Sequence, residues 1–560
     1  MTTQLTPTPT PTPTSRRDHI YPTLTAAQLA RIAAHGRRRR VEAGEVLVQA
    51  GEHVARLFVV VEGQIDGVRP SATEGDLVVS LGPGMFTGEV TMLSGRRGLA
   101  QIRAAAAGEV IEVRRDDLLA LIQVDGELSE IFMRAFILRR MELLRREVSD
   151  VVVLGSTHCQ GTLRIREFLT RNGHPYTMVD LDREADVEAV LDRFHVSAGD
   201  VPVVICRGDV VLRSPTTQQI ADALGFNDAI DQTHVRDLVI VGAGPSGLAA
   251  AVYGASEGLD VLVVESTAPG GQAGSSSRIE NYLGFPMGIS GQELAGRAYT
   301  QAEKFGAQVM IAKDATHLTC DRRPYALEVG DGQRLPARAV IIATGAEYRR
   351  LPIANLPRFE GAGVYYAATS MEAQLCTGED VVVVGAGNSA GQAAVFLAQT
   401  ARRVHMVIRS GGLADTMSRY LIRRIEDHPA IVRHVHTEIV SLEGNGHLER
   451  VAWRDNQDGR VETHGIRHVF TMTGAVPSTR WLDGCLALDA KGFIKTGPDL
   501  LPEDLATARW SLARAPHLLE TSLPGVFAIG DVRAGSLKRV ASAVGEGSIA
   551  IAAVHQVLHE

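Results

Sequence analysis

Leu238-Val239-Ile240-Val241-Gly242-Ala243-Gly244-Pro245-Ser246-Gly247-Leu248-Ala249-Ala250-Ala251 decides how this chain is read. Four apolar residues predict a buried strand, the glycines a tight turn, and the alanine-rich run a helix. Gly242 makes the turn, and Gly244 lets the backbone approach a pyrophosphate. Gly247 permits close helix packing, and the helix start at Pro245 and Ser246 faces the phosphates. The next strand, Val261 to Val264, ends in Glu265, 23 residues after Gly242. An acid there can bond an adenosine ribose. A membrane helix over Leu238 to Ser256 would be broken by Gly242, Gly244, Pro245 and Gly247.

A second fingerprint lies about 140 positions on: Val381 to Val384, then Gly385-Ala386-Gly387-Asn388-Ser389-Ala390. Alanine at Ala390 in place of the third glycine still allows close packing. Two such signals require two βαβ domains. The strand after this fingerprint ends in Arg409 with no acidic residue, which counts against strict NAD use.

Around these loops, residues 235–560 resemble the low-molecular-weight thioredoxin reductases. Gly270-Gly271-Gln272, Ile279-Glu280-Asn281-Tyr282, Ala343-Thr344-Gly345, Gly530-Asp531-Val532 and Arg539-Val540-Ala541 carry the likeness in family order. The resemblance implies FAD bound by a domain split into 235–350 and 480–560. It places an NAD(P)H domain over 351–479. Gly271, Gln272, Asn281, Ala343, Thr344, Gly345, Gly530, Asp531, Arg539, Val540 and Ala541 join the first loop and Glu265 in the expected flavin site. Gly385, Gly387, Asn388, Ser389, Ala390 and Arg409 form the expected nicotinamide-dinucleotide site. Related NADPH enzymes place several arginines after this strand. Here Arg409 remains, Ser410 and Ala414 replace others, and Arg419 is a candidate substitute. NADPH is favoured, with NADH the alternative.

The same family carries a C-A-T-C disulfide at the start of the inserted domain. This chain reads Tyr366-Ala367-Ala368-Thr369-Ser370 there, so the pair is absent. An electron route through Cys159 is the alternative. Gly155-Ser156-Thr157-His158-Cys159-Gln160-Gly161-Thr162 follows a strand and opens a helix in a unit spanning 148–230. It resembles the glutaredoxin and thioredoxin fold, which implies a cis-proline at Pro202. A helix N-terminus favours thiolate at Cys159. The other reading is a decayed adaptor with an inert cysteine. Cys206, Cys320, Cys376 and Cys485 are read as structural.

Residues 20–147 show short strands and Gly-rich turns, a small antiparallel barrel or jelly roll, then an amphipathic linker helix over Ile131 to Glu147. The stretch Gly84 to Leu93 with Arg96-Arg97 resembles cyclic-nucleotide-binding domains. The likeness implies Glu89 for a ribose hydroxyl and Arg97 for a cyclic phosphate; a docking or dimerisation barrel is the alternative. Arg37 to Arg40 reads as a solvated face at a helix end. The Thr/Pro tract over residues 1–19 predicts an extended leader without the apolar core of a secretory signal.

With 560 residues, three to five domains are expected. A net charge of −8 argues against nucleic-acid and anionic-membrane partners. Five cysteines without C-x-x-C fit a reducing cytoplasm and exclude a zinc ribbon; no metal site is expected. The fold class is multidomain: a β-barrel with helices, a small thioredoxin-like α/β domain, and two Rossmann-like domains. The expected function is NAD(P)H-dependent flavin oxidoreduction toward an unidentified acceptor, with a small nucleotide effector at the barrel and a homodimeric state. A ferredoxin:NADP reductase-like enzyme and a non-catalytic flavin or nucleotide sensor are the alternatives.

Overall fold

The computed structural model describes residues 16–560 apart from 54, 70–75, 90, 99, 146–148, 184–186, 194, 208–209, 331, 415 and 483. The Thr/Pro leader lies outside the described residues up to 15, as do Val90 and Glu147. Residues Arg16–Ile20 are a short helix, so the leader does not reach residue 19 as expected. The chain divides into two compact units. The first holds residues 1–151 with 175–177 and 224–228, and the second holds the remainder.

The first unit is an antiparallel sheet in the order Arg37–Val41, Gln101–Arg114, Arg56–Arg69, Asp76–Leu81, with Val46–Val48 also on Gln101–Arg114. The arginine run is therefore a strand rather than a helix end. Arg37 and Arg39 pair with Glu112, and Arg38 pairs with Glu109. Cross-strand acids thus neutralise a run of like charges. The linker helix spans Gly126–Arg145, five residues earlier than Ile131. Asp125 sets its start by accepting from Leu128 N at 3.0 Å. Its Phe132 packs edge-on against Phe86, with ring centroids 4.7 Å apart.

The second unit opens with a four-stranded sheet ordered Thr177–Asp180, Val151–Gly155, Val203–Cys206, Val210–Arg213. The helix Gln160–Arg171 follows its first strand, and the Val201–Pro202 peptide is cis. A seven-stranded sheet comes next, in the order Gln308–Ile311, Val261–Glu265, Arg236–Val241, Gln333–Ile342, Tyr325–Val329, Ala315–Thr319. Val526–Ala528, from near the chain's end, joins it beside Gln333–Ile342. Its strand Arg236–Val241 runs parallel to both neighbours, and the four residues Leu238 to Val241 are apolar, as a sheet covered on both faces requires.

Between those pieces lies a second parallel sheet ordered Val364–Tyr365, His468–Thr471, Asp380–Val384, Arg403–Val407, Ile431–His434. A disulfide joins Cys320 to Cys485 across a sequence separation of 165. The sequence marks both as structural cysteines but does not pair them, because no local spacing connects positions so far apart. Among the described residues one helix, Val540–Leu558, is long and apolar enough to span a membrane. Its Ala550, Ile551 and Val554 are fully buried with Leu238 and Ile240, so it is packed as a core helix.

Candidate functional site

Gly242 turns the first strand at φ +105°, and a Cβ there would meet the Ala343 carbonyl oxygen at 2.4 Å. At Gly247 a Cβ would meet the Gly242 carbonyl oxygen at 1.9 Å. Only glycine brings the helix Pro245–Ser256 this close to its own strand. Pro245 takes the first helical position, where its missing N–H costs nothing. Glu265 is 7% exposed and accepts from the N–H groups of Ala243, Thr267 and Ala268 at 2.8, 2.9 and 3.1 Å. Those bonds hold a carboxylate at the strand end beside the loop.

The second loop repeats the design. Gly385 has φ +141°, and a Cβ there would lie 2.6 Å from the Met472 carbonyl oxygen and 3.2 Å from the Ala390 methyl. Gly387 caps the helix Asn388–Leu397 and has nothing within 4 Å of a would-be Cβ, so backbone there is open to a ligand. Asn388 Oδ1 accepts from Ser418 N at 2.8 Å, and Thr416 Oγ1 donates to the Ala386 carbonyl at 2.8 Å.

Both loops open on one cavity of about 1650 Å³. All residues expected at the flavin line it except Gly247 and Gly530, which lie behind the wall. Gly530 N donates to Glu546 at 2.6 Å, and Glu546 pairs with Arg533 at 2.6 Å. Burial pushes the Asp531 carboxyl above its usual range. Of the second set Gly385, Gly387, Asn388, Ser389 and Arg409 line the cavity, and Ala390 is fully buried. Arg419 is an exposed helix-start residue that does not itself line the cavity, although its neighbours Ser418 and Tyr420 do. Tyr348 bridges the two halves. Its phenol hydrogen-bonds Ser389, and burial raises its pKa.

Ala367 and Ala368 line the cavity where the relatives' redox pair is expected, and Ser370 begins a short helix capped by Thr369. Beside them Tyr366 donates to Glu360 at 2.6 Å, and burial raises its pKa. Cys376 is fully buried, and desolvation pushes its thiol up to about 12. Cys159 N-caps the helix Gln160–Arg171 and is half-buried. It does not line the cavity. Its helix nevertheless touches both dinucleotide domains. Leu163 packs with Tyr365, Ala368 and Cys376, and Arg171 reaches the cavity wall. Sequence reasoning missed Arg171, because nothing in its local pattern marks a contact made by folding.

In the barrel, Glu89 accepts from Thr91 Oγ1 at 2.5 Å and lies 3.6 Å from Arg140 Nη1. Arg97 Nη1 donates to the Gly51 carbonyl at 2.9 Å. Arg139, on the same helix as Arg140, is buried, which pushes its pKa down to about 10, and donates to the carbonyls of Ile20, Phe86 and Gly88. These two arginines escaped the sequence reading.

Residues 236–547 match the pyridine nucleotide-disulphide oxidoreductase family. The chain belongs to that family. The oxidoreductase is similar to thioredoxin reductase of Ureaplasma parvum, 33% identical over 317 residues, covering 56% of this chain and 94% of that protein. To the Bacillus subtilis thioredoxin reductase it is 30% identical over 338 residues, covering 59% and 97%. Among solved structures, Lactococcus lactis thioredoxin reductase gives a TM-score of 0.52 at 25% identity, over 58% of this chain and 99% of that one. The T. acidophilum thioredoxin reductase gives 0.51 at 27% identity, over 57% and 98%. Residues 38–125 of the oxidoreductase match the cyclic nucleotide-binding domain. The oxidoreductase is a flavin-dependent enzyme using FAD and NADPH, and its two glycine-floored loops with the buried Glu265 fit such dinucleotides.

Proposed function

We propose that this enzyme takes electrons from NADPH and delivers them to a thiol-linked or other acceptor without a disulfide beside the flavin. The observation that carries this reading is Ala367 in the cavity wall, with Ser370 beyond it, where an electron-relaying pair is expected. When bound, FAD supplies hydride acceptance and onward electron transfer. The protein's own part is to bind and orient. The first loop and Glu265 hold one dinucleotide, the second loop and Arg409 the other, and Tyr348 with Ser389 joins the halves.

The order of the four-stranded sheet Thr177–Asp180, Val151–Gly155, Val203–Cys206, Val210–Arg213 and the cysteine at a helix start support a glutaredoxin-like domain. In that reading Cys159 thiolate attacks a substrate disulfide, releasing one thiol and forming a mixed disulfide. Two electrons from NADPH then cleave the mixed disulfide, freeing Cys159 and the second thiol, with protons taken from solvent. Direct transfer from flavin to a small acceptor is the second reading, favoured by the position of Cys159 off the cavity.

Cys159→Ser and Cys376→Ser separate the two. Cys159→Ser is expected to lower NADPH-dependent disulfide reduction by about a hundredfold or more, the scale for loss of an activated nucleophile. Quinone reduction stays at the native rate, and Cys376→Ser leaves both unchanged. Full disulfide reduction in Cys159→Ser removes the thiol from the mechanism. Native protein inactive on disulfides but active on quinones supports direct transfer.

The barrel is read as a regulatory domain that takes a cyclic nucleotide through Glu89 and Arg97. Arg140, which faces Glu89 from the helix Gly126–Arg145, gives such a ligand a path into that helix. Calorimetry with cyclic nucleotides is expected to show binding that Arg97→Ala weakens. Absence of heat with native protein leaves a docking or dimerisation barrel.

A further inference from the structure

The helix Gln160–Arg171 ends against the sheet that carries the first glycine-rich loop. Asn172 Nδ2 donates to the Thr267 carbonyl at 3.1 Å, and Gln292 Nε2 to the Thr170 carbonyl at 2.6 Å. Arg171 Nη2 donates to the Gly271 carbonyl at 2.9 Å. This third bond differs from the others, because Arg171 also lines the dinucleotide cavity. Gly271 in turn lies against the first loop: a Cβ on Gly271 would sit 3.0 Å from the Cα of Gly244. The guanidinium is thereby held next to the turn over which a diphosphate is expected to lie.

The charge balance around Arg171 leaves room for an anion. Its carboxylate partner is Glu167 at 3.4 Å, one helical turn back and 43% exposed, whereas Arg171 is 19% exposed. An exposed partner is screened by water and offsets little of the cost of withdrawing a cation from solvent. Arg171 Nε is buried without a hydrogen-bond partner. A guanidinium carries five N–H donors in a fixed fork, suited to phosphate oxygens, and the bonds to Gly271 and Glu167 use two. Arg171 also lies outside residues 236–547, the segment matched to the oxidoreductase family.

We propose that Arg171 is a cofactor-binding residue: the middle domain, residues 148–230, completes the FAD site by presenting this guanidinium to the diphosphate half of the dinucleotide. The middle domain then has a duty at the flavin that is independent of Cys159, which caps the opposite end of the same helix.

The test uses the full chain, stripped of flavin and titrated with FAD while flavin fluorescence is followed. Arg171→Ala is expected to raise the dissociation constant about tenfold or more, the scale of a lost charge-assisted hydrogen bond. It also flattens the dependence of affinity on salt. Arg171→Lys, which keeps the charge without the fork, recovers part of the loss. Asn172→Ala removes a docking bond off the cavity and stays within about twofold of native, the size expected for a neutral bond of low net worth. Native affinity in Arg171→Ala overturns the proposal. So does an equal loss in Asn172→Ala, which would leave docking as the whole effect. Native full-length protein that binds no FAD overturns the cofactor assignment itself, a result distinct from either.

Discussion

Gly247→Val will yield protein without flavin. A Cβ at this position lies 1.9 Å from the Gly242 carbonyl oxygen and 3.4 Å from the Ala343 methyl. The first of those atoms is backbone in the turn, so no side chain can swing aside. Relief requires the helix Pro245–Ser256 to lift from its strand, which opens the loop that should meet the diphosphate. Overpacking of this kind costs about 1–3 kcal/mol or more, and valine adds two methyls to the overlap. Affinity falls about tenfold per 1.4 kcal/mol, so retained FAD drops steeply. The check is the ratio of flavin to protein absorbance after purification, with circular dichroism to confirm a folded chain. A stoichiometric yellow Gly247→Val protein would refute the assignment of this loop. Gly247 does not line the cavity, so its effect is transmitted through packing alone.

Arg409→Ala will collapse the preference for NADPH over NADH. Arg409 follows the strand Arg403–Val407 of the inserted sheet and lines the cavity wall. Ser410, next to it, spends its hydroxyl on the Gly412 carbonyl at 3.0 Å. Arg419 does not itself line the cavity. The 2′-phosphate of NADPH is thus left chiefly to one guanidinium. A hydrogen bond between charged groups contributes about 1.5–3 kcal/mol, so kcat/KM for NADPH should fall about ten- to a hundredfold. The value for NADH, which lacks that phosphate, should be unchanged. Stopped-flow reduction of the flavin with each nucleotide makes the comparison. Equal rates for both nucleotides in native protein, or an equal loss for both in the variant, would contradict it.

What could be read from the sequence was local. The glycine loops declare themselves because strand, turn and helix follow one another within a dozen residues, and each glycine has a distinct steric duty. Ala367 and Ser370, where the resemblance implies a cysteine pair, are equally local. The arginine run misled for a physical reason. Four like charges give no periodicity, and only the facing acids on Gln101–Arg114 reveal a strand. Arg171 and Arg140 could not be found by pattern, since each acquires its neighbours through tertiary contact. The Cys320–Cys485 pairing belongs to the same class, because no spacing rule connects positions so far apart.

That disulfide makes part of the chain a closed ring. The whole inserted sheet, from Val364–Tyr365 to His468–Thr471, lies between its two cysteines. A protease that cuts once inside the insertion therefore cannot release either end. The nicked protein runs as one species on a denaturing gel without reductant and as two with it. The ring also shrinks the unfolded ensemble, which for a loop of this size is worth about 5 kcal/mol in the chain-entropy description. In a compartment that keeps thiols reduced the ring opens, and the two sequence-distant parts of the seven-stranded sheet are then held together by packing alone.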